Sequence, residues 1–216
     1  MMAAWPGDPE AALGVMEPRW GEVSIEKLAI NAVMAGCRPE YFPVVVAAVE
    51  AMLDPQFNLH TVQSTTHPCA PLVIVNGPIA RRLEINSGPG LFGPGWRANA
   101  TIGRAVRLVM LNVGGAVPGR FDRATQGGPG KYTACIAENE ERSPWEPLHV
   151  TRGFPREASV VTLIAIEGPH NLNDHVSRTA QHLLACFTKG MAAATMNNAY
   201  LPGREDLLVM GPQHAA

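Results

Sequence analysis

Cys37 has the setting in this chain that most favours covalent chemistry. It follows Gly36, precedes Arg38 and stands just before a helix predicted to begin at Pro39. A guanidinium and a helix N-terminus both stabilise a thiolate, which would make Cys37 a nucleophile or a metal ligand. The alternative is a small buried thiol at a helix corner, because free cysteine is among the most buried residue types. A second constellation is His67-Pro68-Cys69, on a proline-kinked loop after a predicted strand. A His and a Cys two apart can supply two metal ligands, although zinc sites usually carry further close ligands. The segment ENEERSPWEPLH adds Glu138, Glu140, Glu141, Glu146 and His149. Glu146 and His149 are spaced i,i+3, so on a helix they would share a face, a spacing that binds metal in carboxylate bundles. The same groups suit general acid–base work, while Glu140 and Glu141 read as a solvated acidic turn. His170, in GPHN after the strongest predicted strand, completes the proton-moving candidates. Cys135 and Cys186 read as core residues. No GxSxG, HExxH or Ser/His/Asp spacing occurs.

Residues 86–107, NSGPGLFGPGWRANATIGRAVR, read as a glycine- and proline-rich loop opening a helix capped by Asn99 or Thr101. A helix start offers unpaired N–H groups, and Arg97 adds a forked cation, so the geometry suits a small anion. The alternative is a surface loop that only caps a buried helix. The expected substrate-binding set is Arg38, Asn76, Trp96, Arg97, Asn99 and Thr101. GPGLFGPG is neither GxGxxG after a strand nor GxxxxGK[ST], so no nucleotide cofactor is expected. A transition metal held by His67, Cys69, Glu146 and His149 is the alternative cofactor reading.

These residues need elements to position them. Ser24 opens a helix, SIEKLAINAVMAG, closed by Gly36; PEYFPVVVAAVEAML forms a second helix. LHTVQSTT alternates and predicts a strand over 59–66, followed by a buried strand at 72–75 and a short helix, IARRLEI. The helix from about Ala98 ends at Gly114-Gly115. TACIAEN and ASVVTLIAIEG predict two further strands. Asp174 is placed to cap a long helix over 175–194, and DLLVMG predicts a last strand. The expected fold is α/β or α+β: a mixed sheet with helices packed on it, in one domain over 22–216 behind a flexible arm over 1–21. The ending leaves two readings open, a frayed tail or a sheet completed by a partner chain.

Composition narrows the function classes. The 216 residues are 46% hydrophobic and only 17% charged, which points to surface buried against another chain, whether a homo-oligomer or a different subunit. A net charge of −2 with no basic block disfavours nucleic acid. No apolar run reaches the ~20 residues that span a bilayer, and the first residues lack a signal peptide's basic start and apolar core. The expectation is a cytoplasmic protein with no membrane partner. The cysteines are widely spaced without CxxC, so thiols are expected rather than a disulfide framework.

The phrases AINAVMAGCRPEYFPVVVAAVEAM, PLVIVNGPIARRLEINSG, GPGWRANATIGRAVRL and GKYTACIAENEERSPWEPLH carry a resemblance over residues 24–210. The chain resembles a poorly characterised bacterial family found with, or fused to, small (seleno)cysteine domains bearing a U/C-G-S-C motif. No GSC motif occurs in this sequence. The resemblance therefore implies a thiol- or selenol-bearing partner on a separate polypeptide, similar to reductases that cleave carbon–heteroatom bonds. Three functions remain open. The first is an enzyme subunit, oxidoreductase or lyase, applying thiol chemistry to a small anionic organic substrate, with Cys37, His67, Glu146, His149 and His170 as catalytic candidates. The second is a metal-dependent lyase or hydrolase. The third is a non-catalytic scaffold for a redox partner.

Overall fold

The computed structural model describes residues 1–2, 5–193 and 206–215. The chain divides into two compact units, Met1–Gly168 and Pro169–Ala216. The first unit is an α/β assembly built on a three-stranded mixed sheet.

At its centre lies β1 (Ala70–Asn76), buried along its whole length. It pairs in parallel with β2 (Cys135–Ala137), Val73 opposite Cys135 and Val75 opposite Ala137. On its other edge it pairs antiparallel with β3 (Val160–Ile166), from Ala70 opposite Ile166 to Asn76 opposite Val160. The period-two alternation of a strand divides β1 between two faces. Val73 and Val75 enter the main core with Phe42, Val45, Val49, Ile102, Val106 and Val109. Leu72 and Ile74 enter a smaller core with Ala134 and Ile136, covered by Leu91, Leu148, Ile164 and Ile166.

The helices follow from their end signals. In α1 (Ile25–Ala35) the Ser24 hydroxyl accepts from Lys27 N, and Gly36, at φ 86°, supplies the left-handed C-terminal turn. A 3-10 turn over Pro39–Tyr41 leads into α2 (Phe42–Leu53), so that helix begins three residues later than its proline suggests. Its side chains are buried on nearly every side, including Phe42, Val45, Val49 and Met52. Two short helices are α3 (Leu59–Gln63) and α4 (Pro78–Arg82). The 16-residue α5 (Arg97–Asn112) packs against α1 and sends Ile102, Val106 and Val109 into the core. A single turn, α6 (Leu148–Thr151), precedes β3.

Three expectations change in form. Residues 59–66 form no strand: Leu59–Gln63 make the helix α3, with Leu59, Val62 and Gln63 buried at helical spacing, after Asn58 turns the chain in the left-handed region at φ 53°. The first 21 residues are not a loose arm. Residues Ala12–Met16 and Gly21–Ser24 form an antiparallel hairpin in which Met16 and Val23 are fully buried. Trp5 meets Phe42 edge to face at 5.9 Å. Residues 206–211 form no strand and precede one helical turn, Pro212–Ala215.

In the second unit the helix predicted over 175–194 is shorter, α7 (Ala180–Met191), capped by Thr179, whose hydroxyl accepts from His182 N. Asp174 accepts from Val176 N and Ser177 N in the preceding loop instead of capping that helix. The predicted end at Ala194 lies outside the described residues. Among the described residues no helix is long and apolar enough to cross a membrane.

Candidate acid–base site

The parallel strands β1 and β2 end side by side, at Asn76 and Ala137, where open α/β sheets place ligands. Asn76 is fully buried. Its Nδ2 donates to Glu138 Oε2 at 2.6 Å and to Glu140 Oε1 at 2.9 Å. The Gly77 N–H adds a 2.6 Å bond to the same Glu140 oxygen, and the Leu148 N–H donates to Glu138 Oε2 at 2.8 Å. One amide therefore tethers two glutamates, each steadied by a backbone N–H from a different segment. The Asn76 carbonyl oxygen Oδ1 is buried without a hydrogen-bond partner among the described residues.

Above this pair opens a cleft of about 100 Å³, lined by Gly77, Ala80, Arg81, Ser87, Glu138, Asn139, Glu140 and Glu141. Gly77 is required here: its φ is 81°, and a Cβ would lie 2.0 Å from the Ala158 carbonyl oxygen. Arg81 and Glu141 form an exposed ion pair at the rim, 3.1 Å apart. Ser87 arrives through Asn99. That buried side chain accepts from Asn86 N and donates to the Asn86 and Cys135 carbonyls, stitching the glycine-rich loop to β2. Asn99 is thus a loop clamp, not the cap of α5. The cap position belongs to Trp96, which makes no side-chain capping bond.

The remaining candidates fall in separate places. Arg97 donates through Nε and Nη2 to the Gly36 carbonyl, at 3.2 and 3.0 Å, so its fork closes the end of α1. Cys37 lies in the same corner, buried, its thiol donating to the Thr101 carbonyl at 3.2 Å. Thr101 in turn donates its hydroxyl to the Arg97 carbonyl rather than capping α5. Burial pushes the Cys37 thiol up to about 11, and the Arg97 charge offsets only part of that. The shift runs opposite to the activation expected from Arg38 and the following helix. Cys135, inside β2, is also raised, chiefly by burial.

Arg38 is exposed and lines a separate recess with Glu40, Tyr41, Arg82 and Glu84. His67 Nδ1 lies 2.9 Å from Glu167 Oε1, beside Cys69 and at the opposite end of β1 from Asn76. Glu146 and His149 do not share a helix, because α6 begins only at Leu148. Glu146 is exposed and faces Arg156 at 3.8 Å. His149 is fully buried, with Nε2 at 3.2 Å from the Arg156 carbonyl and Nδ1 without a partner among the described residues. The proposed His67, Cys69, Glu146 and His149 metal set is therefore not assembled; among the described residues no three His, Cys, Asp or Glu side chains come together to hold a metal. His170 is exposed in the second unit.

Asn76, from the sequence-derived binding set, lies buried beneath the cleft and bonds two of the glutamates that line it. Glu140, expected in a solvated turn, instead shares its floor with Glu138, whereas Glu141 is exposed as expected. Comparisons of the chain with protein-family models, with curated proteins and with solved structures return no match.

Proposed function

We propose that this chain is an enzyme subunit that moves a proton on a small organic molecule, with Glu138 and Glu140 as the proton-handling groups. The observation that carries this reading is the buried Asn76 amide holding both carboxylates at the ends of the parallel strands. Their donors are neutral N–H groups, which leave the carboxyl oxygens further acceptor capacity towards the cleft. Such a surface favours a ligand that presents N–H or O–H donors, a protonated amine above all. This replaces the anion-binding reading, whose main residue, Arg97, is committed to the Gly36 carbonyl. With Cys37 buried and raised, any thiol or selenol step is assigned to a separate subunit, in line with the family resemblance.

The test is a partial reaction. The protein is incubated in heavy water with a panel of small amino and hydroxy acids, and loss of the C–H proton signal beside the carboxylate is followed by NMR. Exchange that disappears in Glu138→Gln and Glu140→Gln supports the assignment. Exchange that proceeds equally in the double variant would remove these residues from the chemistry, and no exchange across the panel would remove this form of the reaction.

A further inference from the structure

Helix α1 has two faces of different character. Ile25, Leu28, Ala29, Asn31 and Ala32 are buried. Ile30, Val33 and Met34, spaced i, i+3 and i+4, are exposed by 51%, 61% and 63%. Three large apolar side chains side by side on a helix of water-soluble length form a patch that ordinary surfaces avoid. Glu26, four residues before Ile30, continues the same stripe towards the N-terminus. Lys27 is turned aside, its ammonium bonded to the Glu22 carbonyl at 2.7 Å. At the other end of the helix the charge is reversed. The Arg97 guanidinium sits on the Gly36 carbonyl, and Arg38 is exposed just beyond it.

The stripe is therefore complementary to itself when inverted: acidic at its start, apolar in the middle, basic at its end. We propose that this face docks a second copy of the chain, α1 against α1 in antiparallel orientation, around a two-fold axis that crosses the exposed face beside Val33. Ile30 then meets Met34 of the second copy, and Glu26 approaches the Arg38 and Arg97 end, each contact occurring twice. Antiparallel helices also place opposite dipole ends together. Isologous pairing needs a single patch that matches itself, and α1 meets that condition in both hydrophobicity and charge. This inference does not depend on the acid–base reading of the cleft.

Sedimentation equilibrium on the full chain tests it. The wild type is expected to be a dimer at ~100 µM, a concentration well above a micromolar dissociation constant. Val33→Glu and, separately, Ile30→Lys alter exposed positions only and are expected to yield monomers with unchanged circular dichroism and melting. Glu26→Arg and Arg38→Glu are each expected to weaken the dimer about tenfold, and the combined swap to restore it. A monomeric wild type, or a dimer that survives both apolar-face variants, would overturn the proposal. A dimer broken by Val33→Glu but not restored by the charge swap would overturn the antiparallel arrangement, leaving a different partner geometry for the face.

Discussion

Two groups of carboxylates in the first unit are built by opposite rules. Asp122 is 4% exposed, with Arg107 Nη2 and Lys131 Nζ each 2.9 Å from Oδ2. Its Oδ1 accepts from Ala124 N and again from Lys131. Burial acts to raise this acid, but the Lys131, Ala124 and Arg107 contacts outweigh it and hold the carboxyl below its ordinary range. Glu138 and Glu140 are held just as firmly, yet by Asn76, Gly77 and Leu148, which carry no charge. The difference separates structure from function. A carboxylate enclosed by two cations has given its charge to the fold, here by pinning the loop after α5. A carboxyl group steadied by amides beside a cleft leaves its remaining acceptor positions to a visitor.

The largest test of this contrast is Asp122→Asn. It leaves two buried cations facing a neutral group and is expected to cost ~3–5 kcal/mol in denaturant unfolding. The pH dependence agrees in sign. Because the folded-state value of Asp122 is depressed, its contribution is present above the unfolded carboxylate range. It is lost as pH falls through the folded value, so the stability gap between wild type and Asp122→Asn should be widest near neutral pH and close on acidification. Asn76→Ala comes next, at ~1.5–3 kcal/mol, because it removes two bonds to charged acceptors. Its sharper signature is loss of proton exchange alongside survival of the fold. Glu138→Gln and Glu140→Gln reverse the Asp122 pattern, with ~1 kcal/mol or less in stability but abolished exchange. Cys37 provides a control for the thiol alternative. Its alkylation at pH 8, followed by mass spectrometry, should run about a hundredfold slower than that of an ordinary thiol and rise with pH towards about 11. Rapid labelling would return Cys37 to the list of nucleophiles. The smallest effect is expected for Arg81→Ala: its pair with Glu141 is two-thirds exposed on both sides and should contribute ~0–0.5 kcal/mol.

Local signals in the sequence were good guides wherever the deciding partner lay nearby. Ser24 and Gly36 bound α1 as their chemistry dictates, and the apolar run 160–166 is β3. The mixed sheet with packed helices follows from the same patterning. The hairpin over Ala12–Ser24 escaped because its stability comes from burying Met16 and Val23 in a core formed by later residues. LHTVQ deceived because its short alternation also satisfies helical spacing. The site was harder still. Asn76 stood out at a strand end, but Glu140, 64 residues away, looks like any surface acid until the amide that holds it is seen. Asn99 has the composition of a cap and the position of a clamp, a distinction only the Asn86 and Cys135 carbonyls reveal.

The close passage of Gly77 beneath the Ala158 carbonyl also bears on how this protein can change over generations. The backbone at that turn donates to Glu140 and at the same time touches the segment leading into β3, so no side chain can be admitted there without moving both. The floor of the cleft is consequently closed to gradual substitution. Drift in what the cleft accepts is channelled to the rim, through Arg81, Ser87 and Glu141, where a new side chain disturbs nothing beneath it.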